Sequence, residues 1–113
     1  MQKIFHNQNF TLLSLLLATV FLVLVGCTPE IGDACERSAQ CPAGAICDNT
    51  VPGGYCTISN CAPNACPDEA ICIEFGQRTN YCMRWCESQE DCREGQSCVR
   101  EAGQSIGYCY LAD

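Results

Sequence analysis

The chain has 113 residues, 13 of them cysteine, and a net charge of −7. From Cys27 onward, thirteen acidic residues face five arginines with no lysine or histidine, a net charge of 5 − 13 = −8. Such a surface repels phosphate backbones and anionic membrane, which excludes nucleic-acid binding. The same 87 residues hold only ten Leu, Ile, Val and Phe. Burying one such side chain is worth about 1.5–3 kcal/mol, whereas ordering each residue costs about 1.5 kcal/mol. Apolar burial therefore does not order this region by itself. Cross-links must supply the difference, in a compartment where thiols oxidise.

Residues 1–26 have the pattern of an export signal. Met1 to Asn9 carries Lys3 and no acid, and Phe10 to Val25 is an apolar run broken only by Thr11, Ser14 and Thr19. As a helix that run spans about 24 Å, short of the roughly 30 Å hydrocarbon core. A cleaved signal segment, helical in the precursor, is expected. An uncleaved anchor is the alternative.

The run ends in Leu24-Val25-Gly26-Cys27. This resembles the lipobox of bacterial lipoproteins, an aliphatic residue, a small or aliphatic residue, Gly or Ala, then Cys. The resemblance implies a diacylglyceryl group on the Cys27 sulfur, cleavage before Cys27, and acylation of the new amine, palmitate being a typical chain. The count agrees: thirteen cysteines is odd, and removing Cys27 leaves twelve that all fall into a repeat. A secreted protein with a free Cys27 is the bland alternative. Two or three acyl chains hold a protein on a membrane stably. Thr28 is not the aspartate that favours inner-membrane retention in enteric lipoproteins, so the resemblance favours the outer membrane. Residues 27–34 then form the lipid-bearing cysteine and a short tether.

The twelve cysteines form three sets of four, in units spanning 35–60, 61–85 and 86–113. The residues between successive cysteines number five, five and eight; four, five and nine; five, five and ten. Gly54-Tyr55, Asn80-Tyr81 and Gly107-Tyr108 precede each fourth cysteine. Gly, Asn and Gly at one equivalent position suggest a left-handed turn residue there. Turn formers (Asn49, Pro52 and Gly53; Gly76; Gly103) lie between the third and fourth cysteines, so each unit is expected to carry a short β-hairpin. The fold class that follows is small and disulfide-rich, three tandem four-cysteine units with short hairpins and turns and little other regular structure.

Four cysteines permit three pairings. The crossed one is favoured: Cys35–Cys47 and Cys41–Cys56, Cys61–Cys72 and Cys66–Cys82, Cys86–Cys98 and Cys92–Cys109. Pairing of neighbours and bridges between units are the alternatives. The spacing, with Glu90-Asp91 before Cys92 and Gly-Tyr-Cys endings at Cys56 and Cys109, resembles the cysteine-rich repeats of predicted lipoproteins in myxobacteria and their relatives. It is also similar to the N-terminal cysteine-rich region of dickkopf proteins. Neither resemblance carries a functional residue onto this chain.

Chemistry is sparse. The only histidine, His6, and the only lysine, Lys3, belong to the signal segment, and no nucleophile–base set can be assembled from the rest. The chain reads as no enzyme, with no cofactor. Asp68-Glu69 and Glu90-Asp91 read as solvated loop charge. Zinc sites present closely spaced ligands, often with histidine, so disulfides are expected in place of metal. One segment stands out as a candidate partner-binding loop: Met83, Arg84 and Trp85 between Cys82 and Cys86. Arg and Trp are hot-spot residue types, and a loop held between bridges suits a protease inhibitor. The leading reading is a lipid-anchored interaction or structural module whose partner is an unidentified protein or surface ligand. A surface protease inhibitor is the alternative.

Overall fold

The computed structural model describes residues 2–23, 27–76 and 78–112. Helix α1, Gln2–Val23, contains neither glycine nor proline, and Phe10, Leu12, Leu13, Leu15, Leu16 and Leu17 on it are all exposed. No helix among the described residues is long and apolar enough to cross a membrane.

Six disulfides cross-link the remainder: Cys35–Cys47, Cys41–Cys56, Cys61–Cys72, Cys66–Cys82, Cys86–Cys98 and Cys92–Cys109. Each unit is thus closed by its first and third and by its second and fourth cysteines. Each also contains one antiparallel hairpin. These are β1 (Ile46–Cys47) with β2 (Cys56–Thr57), β3 (Ala70–Phe75) with β4 (Thr79–Cys86), and β5 (Gln96–Val99) with β6 (Gly107–Leu111). The third and fourth cysteines stand directly opposite one another in every hairpin: Cys47 with Cys56, Cys72 with Cys82, Cys98 with Cys109. Opposed residues point to the same face, so both bridges of a unit leave from one face of its hairpin. The opposite face is left for other contacts.

Local signals repeat as well. After each second cysteine the chain turns back on itself, through Ala45 N–H to Pro42 O, Ala70 N–H to Pro67 O and Gln96 N–H to Arg93 O, at 2.9, 2.9 and 3.2 Å. The residue that closes each turn, Ala45, Ala70 or Gln96, is buried. In the first and third units a 3-10 turn, Ser38–Gln40 or Gln89–Asp91, precedes the second cysteine.

The left-handed expectation holds at one of its three positions. Gly54 has φ 74°, but Asn80 and Gly107 are not among the residues with positive φ; they lie in β4 and β6. Space, not φ, requires glycine at 107, where a Cβ would come within 2.4 Å of Val99 O. At Gly54 a Cβ would come within 1.9 Å of Cys35 O. Common residue type at these positions reflects two different physical needs.

The units do not stand apart. β3, β4, β6 and β5 form a single four-stranded sheet in that order, so β4 joins the second unit to the third through Trp85–Tyr108 and Cys86–Gly107. The first unit docks on the same strand: Cys82 N–H donates to Ile58 O at 3.0 Å and Asn60 N–H to Asn80 O at 2.7 Å. One apolar cluster runs through Ile31, Val51, Tyr55, Ala70, Met83 and five buried cysteines of the first two units (Cys35, Cys41, Cys56, Cys61 and Cys82), with Tyr108, Tyr110 and Leu111 packed against it. Ile31 is 0% exposed, so the stretch expected to be a tether belongs to the fold from there on. Gly32 N–H donates to Cys56 O at 2.9 Å, and Ile31 N–H to Glu69 Oε1 at 3.1 Å.

Candidate functional site

Cys27 is exposed and has no disulfide partner, whereas the other twelve cysteines are all bridged. Its predecessors in the expected lipobox, Leu24, Val25 and Gly26, lie outside the described residues. Between Cys27 and the buried Ile31 there remain only Thr28, Pro29 and Glu30. Four residue steps reach about 14 Å. Glu30 is itself held, its Oε2 lying 2.7 Å from Arg84 Nη1. Whatever Cys27 carries is therefore close to the folded array.

Cys82-Met83-Arg84-Trp85-Cys86 is not a loop. It is the second half of β4, paired with β3 on one side and with β6 on the other. Met83 is 3% exposed and packs in the core. Arg84 turns to Glu30, and that hydrogen bond, more than the partial burial opposing it, raises its pKa. Trp85 is on the surface but its Nε1–H donates to Asp68 O at 2.9 Å. A protease-binding loop must bow outward as an exposed, extended segment. These residues are instead spent on joining two hairpins, because the strand between units two and three is the shortest path for a shared sheet.

Two acids expected to be solvated loop charge have structural partners. Glu69 accepts from Ile31 N–H, and Asp91 Oδ2 accepts from the backbone N–H groups of Glu87 and Ser88 at 2.8 and 3.0 Å. Those hydrogen bonds hold the Asp91 carboxyl below its ordinary pKa. Gln40 Oε1 does the same work in the first unit, accepting from Glu36 and Arg37 at 2.7 and 3.0 Å. The matching place before the second cysteine was the available signal, since Gln40 and Asp91 both sit there.

Tyr55 carries a role that no local sequence signal marks. It stands in one of three equivalent Tyr-Cys pairs, yet it alone of the three tyrosines is fully buried. Its hydroxyl donates to Cys109 O and accepts from Arg84 N–H, both at 3.0 Å. Burial pushes the phenol pKa up, with the Arg84 N–H and the Arg93 and Arg84 charges opposing, so it stays protonated as a donor. Arg93 covers its ring at 5.7 Å and donates to Gly32 O, Pro52 O and Gly54 O. One tyrosine and one arginine thus lock the first unit onto the second and third.

Open clefts lie at the second hairpin's aromatic end and along β3. Phe75, Tyr81 and Tyr110, with Asp48 and Thr50 at its rim, line a cleft of about 240 Å³ over Met83. Phe75 is 5.5–6.1 Å from the rings of Tyr81, Tyr108 and Tyr110, so the aromatics are packed mainly on one another. A second groove, of about 360 Å³, runs beside β3, lined there by Ile71, Cys72, Ile73 and Glu74. Within each unit three sulfurs lie within 4.8 Å of one another. All belong to disulfides and so offer no thiolate to a metal.

The fold and these features define a small disulfide-rich protein. The chain matches no known protein family, no curated protein and no solved structure.

Proposed function

We propose that this chain is a lipoprotein of the bacterial cell envelope, anchored through acyl chains on Cys27 and presenting a rigid, disulfide-stapled interaction module at the membrane surface. The observation that carries the reading is the isolation of Cys27. It is the one cysteine left over from three complete four-cysteine units, it is exposed, and it lies four residues beyond the end of a leucine-rich helix in sequence. Thr28 at the next position favours the outer membrane. The short link to Ile31 holds the array against the lipid surface, and six bridges with a shared core give it fixed surfaces to offer. A protease inhibitor acting through 82–86 draws less support, since Met83 is buried and Arg84 is paired with Glu30.

The test is the mass of the N-terminal peptide after expression in a bacterial host fed an alkyne-tagged palmitate. A diacylated or triacylated Cys27 with residues 1–26 removed is expected, and Cys27→Ser should remove the label and release the array from the membrane fraction. An unmodified Cys27, or an intact residue 1–26 segment on the membrane-bound protein, overturns the anchor. Pull-down from envelope extracts then separates a binding partner from a protease.

A further inference from the structure

In each hairpin the strand that carries the third cysteine has an outer edge, and in two of the three units a side chain closes it. In the first unit Ser38 Oγ accepts from Cys47 N–H at 3.0 Å. In the third unit Gln89 spans the edge of β5, its Oε1 accepting from Cys98 N–H and its Nε2 donating to Gln96 O. The carboxamide stands in for a neighbouring strand. Ser38 and Gln89 occupy the same place, the third residue after the first cysteine of their units.

Among the described residues the second unit has no such plug. Its first loop, Ala62-Pro63-Asn64-Ala65, is one residue shorter, and a cavity of about 190 Å³ lies between Pro63, Asn64 and the β3 residues Ala70, Ile71 and Cys72. The larger groove of about 360 Å³ continues along Ile71, Cys72, Ile73 and Glu74 to Gly76. Its far wall is Val99, Glu101, Gln104, Ile106 and Tyr108, with Ile106 46% exposed.

The hydrogen-bond phase of β3 follows from its partner. Cys82 N–H and Asn80 O bond away from β3, to Ile58 and Asn60. Residues 79, 81 and 83 therefore face β3 and meet 75, 73 and 71. Cys72 and Glu74 then direct their N–H and C=O groups to the open side, as does Ala70 with its C=O. Register with β4 is unbroken over six pairs, and β3 contains no proline, lysine or bulge, the usual devices against edge pairing.

We propose that this edge is a strand-addition site, which takes an extended segment of a partner protein bearing alternating apolar and basic side chains. Main-chain groups of Ala70, Cys72 and Glu74 supply the ladder, and Ile71, Ile73, Val99 and Ile106 the apolar contact. Glu74 and Glu101 select a basic segment, for no basic residue lines the groove. A second copy of this chain meets its own charge of −8 there. The proposal rests on reading the array as an interaction module.

The test uses the full oxidised chain in detergent micelles, titrated with a short peptide alternating lysine and valine and followed by amide NMR. Saturable binding is expected, with the amides of Cys72 and Glu74 shifting and gaining exchange protection. N-methylation of every second peptide nitrogen should weaken binding by about tenfold or more, since it deletes ladder hydrogen bonds. Glu74→Lys should weaken the lysine peptide several-fold and favour a glutamate–valine peptide. Absence of saturable binding, indifference to N-methylation, shifts confined to the Phe75–Tyr110 cleft, or a dimer through β3 each overturns the proposal. These readouts do not depend on the state of Cys27, and the N-terminal mass does not depend on the groove, so either reading can fail alone.

Discussion

The Tyr55 hydroxyl donates to the Cys109 carbonyl at 3.0 Å, across 54 residues of sequence, while accepting from Arg84 N–H. The bond ties the second strand region of the first unit to the last strand of the third. Tyr55→Phe keeps the ring under Arg93 but strands a part-buried N–H and a buried C=O. A loss of about 1–3 kcal/mol is expected by thermal or denaturant unfolding. Tyr81→Phe, whose hydroxyl has no hydrogen bond among the described residues, should stay within about 0.5 kcal/mol.

The bridges close loops 11 to 17 residues long. A loop of about 15 residues is worth about 3 kcal/mol of unfolded-state entropy. With so few large apolar residues, full reduction should unfold residues 31–112. Dispersed amide NMR shifts that persist after reduction would refute this.

Asp91 and Gln40 offer an internal control for pH. The folded pKa of Asp91 is depressed by the backbone N–H groups of Ser88 and Glu87. Its contribution is therefore present above the ordinary carboxylate pKa and lost as pH falls through the lower folded value. The amides of Glu87 and Ser88 should lose exchange protection on acidification below about pH 4. Those of Glu36 and Arg37, held by the uncharged Gln40, should not. Asp91→Asn should flatten the response.

Gly54→Ala and Gly107→Ala should both be destabilising, for separate reasons. At 54 the new methyl meets the Cys35 carbonyl in a left-handed backbone; at 107 it meets Val99 O in an extended one. Backbone clashes of this kind belong to the upper part of the single-mutant range, about 3 kcal/mol or more. Gly107→Ala should act on the third hairpin first, which residue-resolved hydrogen exchange distinguishes from Gly54→Ala.

The sequence by itself determined the class of this protein. A cysteine every few residues, an acidic surface and too few apolar side chains leave cross-linking as the route to order, and turn residues between the third and fourth cysteines place the hairpins. These are local or compositional facts, legible in one dimension. Only the tertiary structure decided how the units combine. Nothing local distinguishes Tyr55 from Tyr81 and Tyr108, and its burial depends on β4 and β6 arriving from other units. Nothing local shows 82–86 to be a strand instead of a loop, because its two neighbours in the sheet come from before and after it in sequence. The open edge of β3 is of the same kind: a loop one residue shorter is visible in the sequence, but that it leaves Cys72 without the cap that Cys47 and Cys98 receive is a fact of packing.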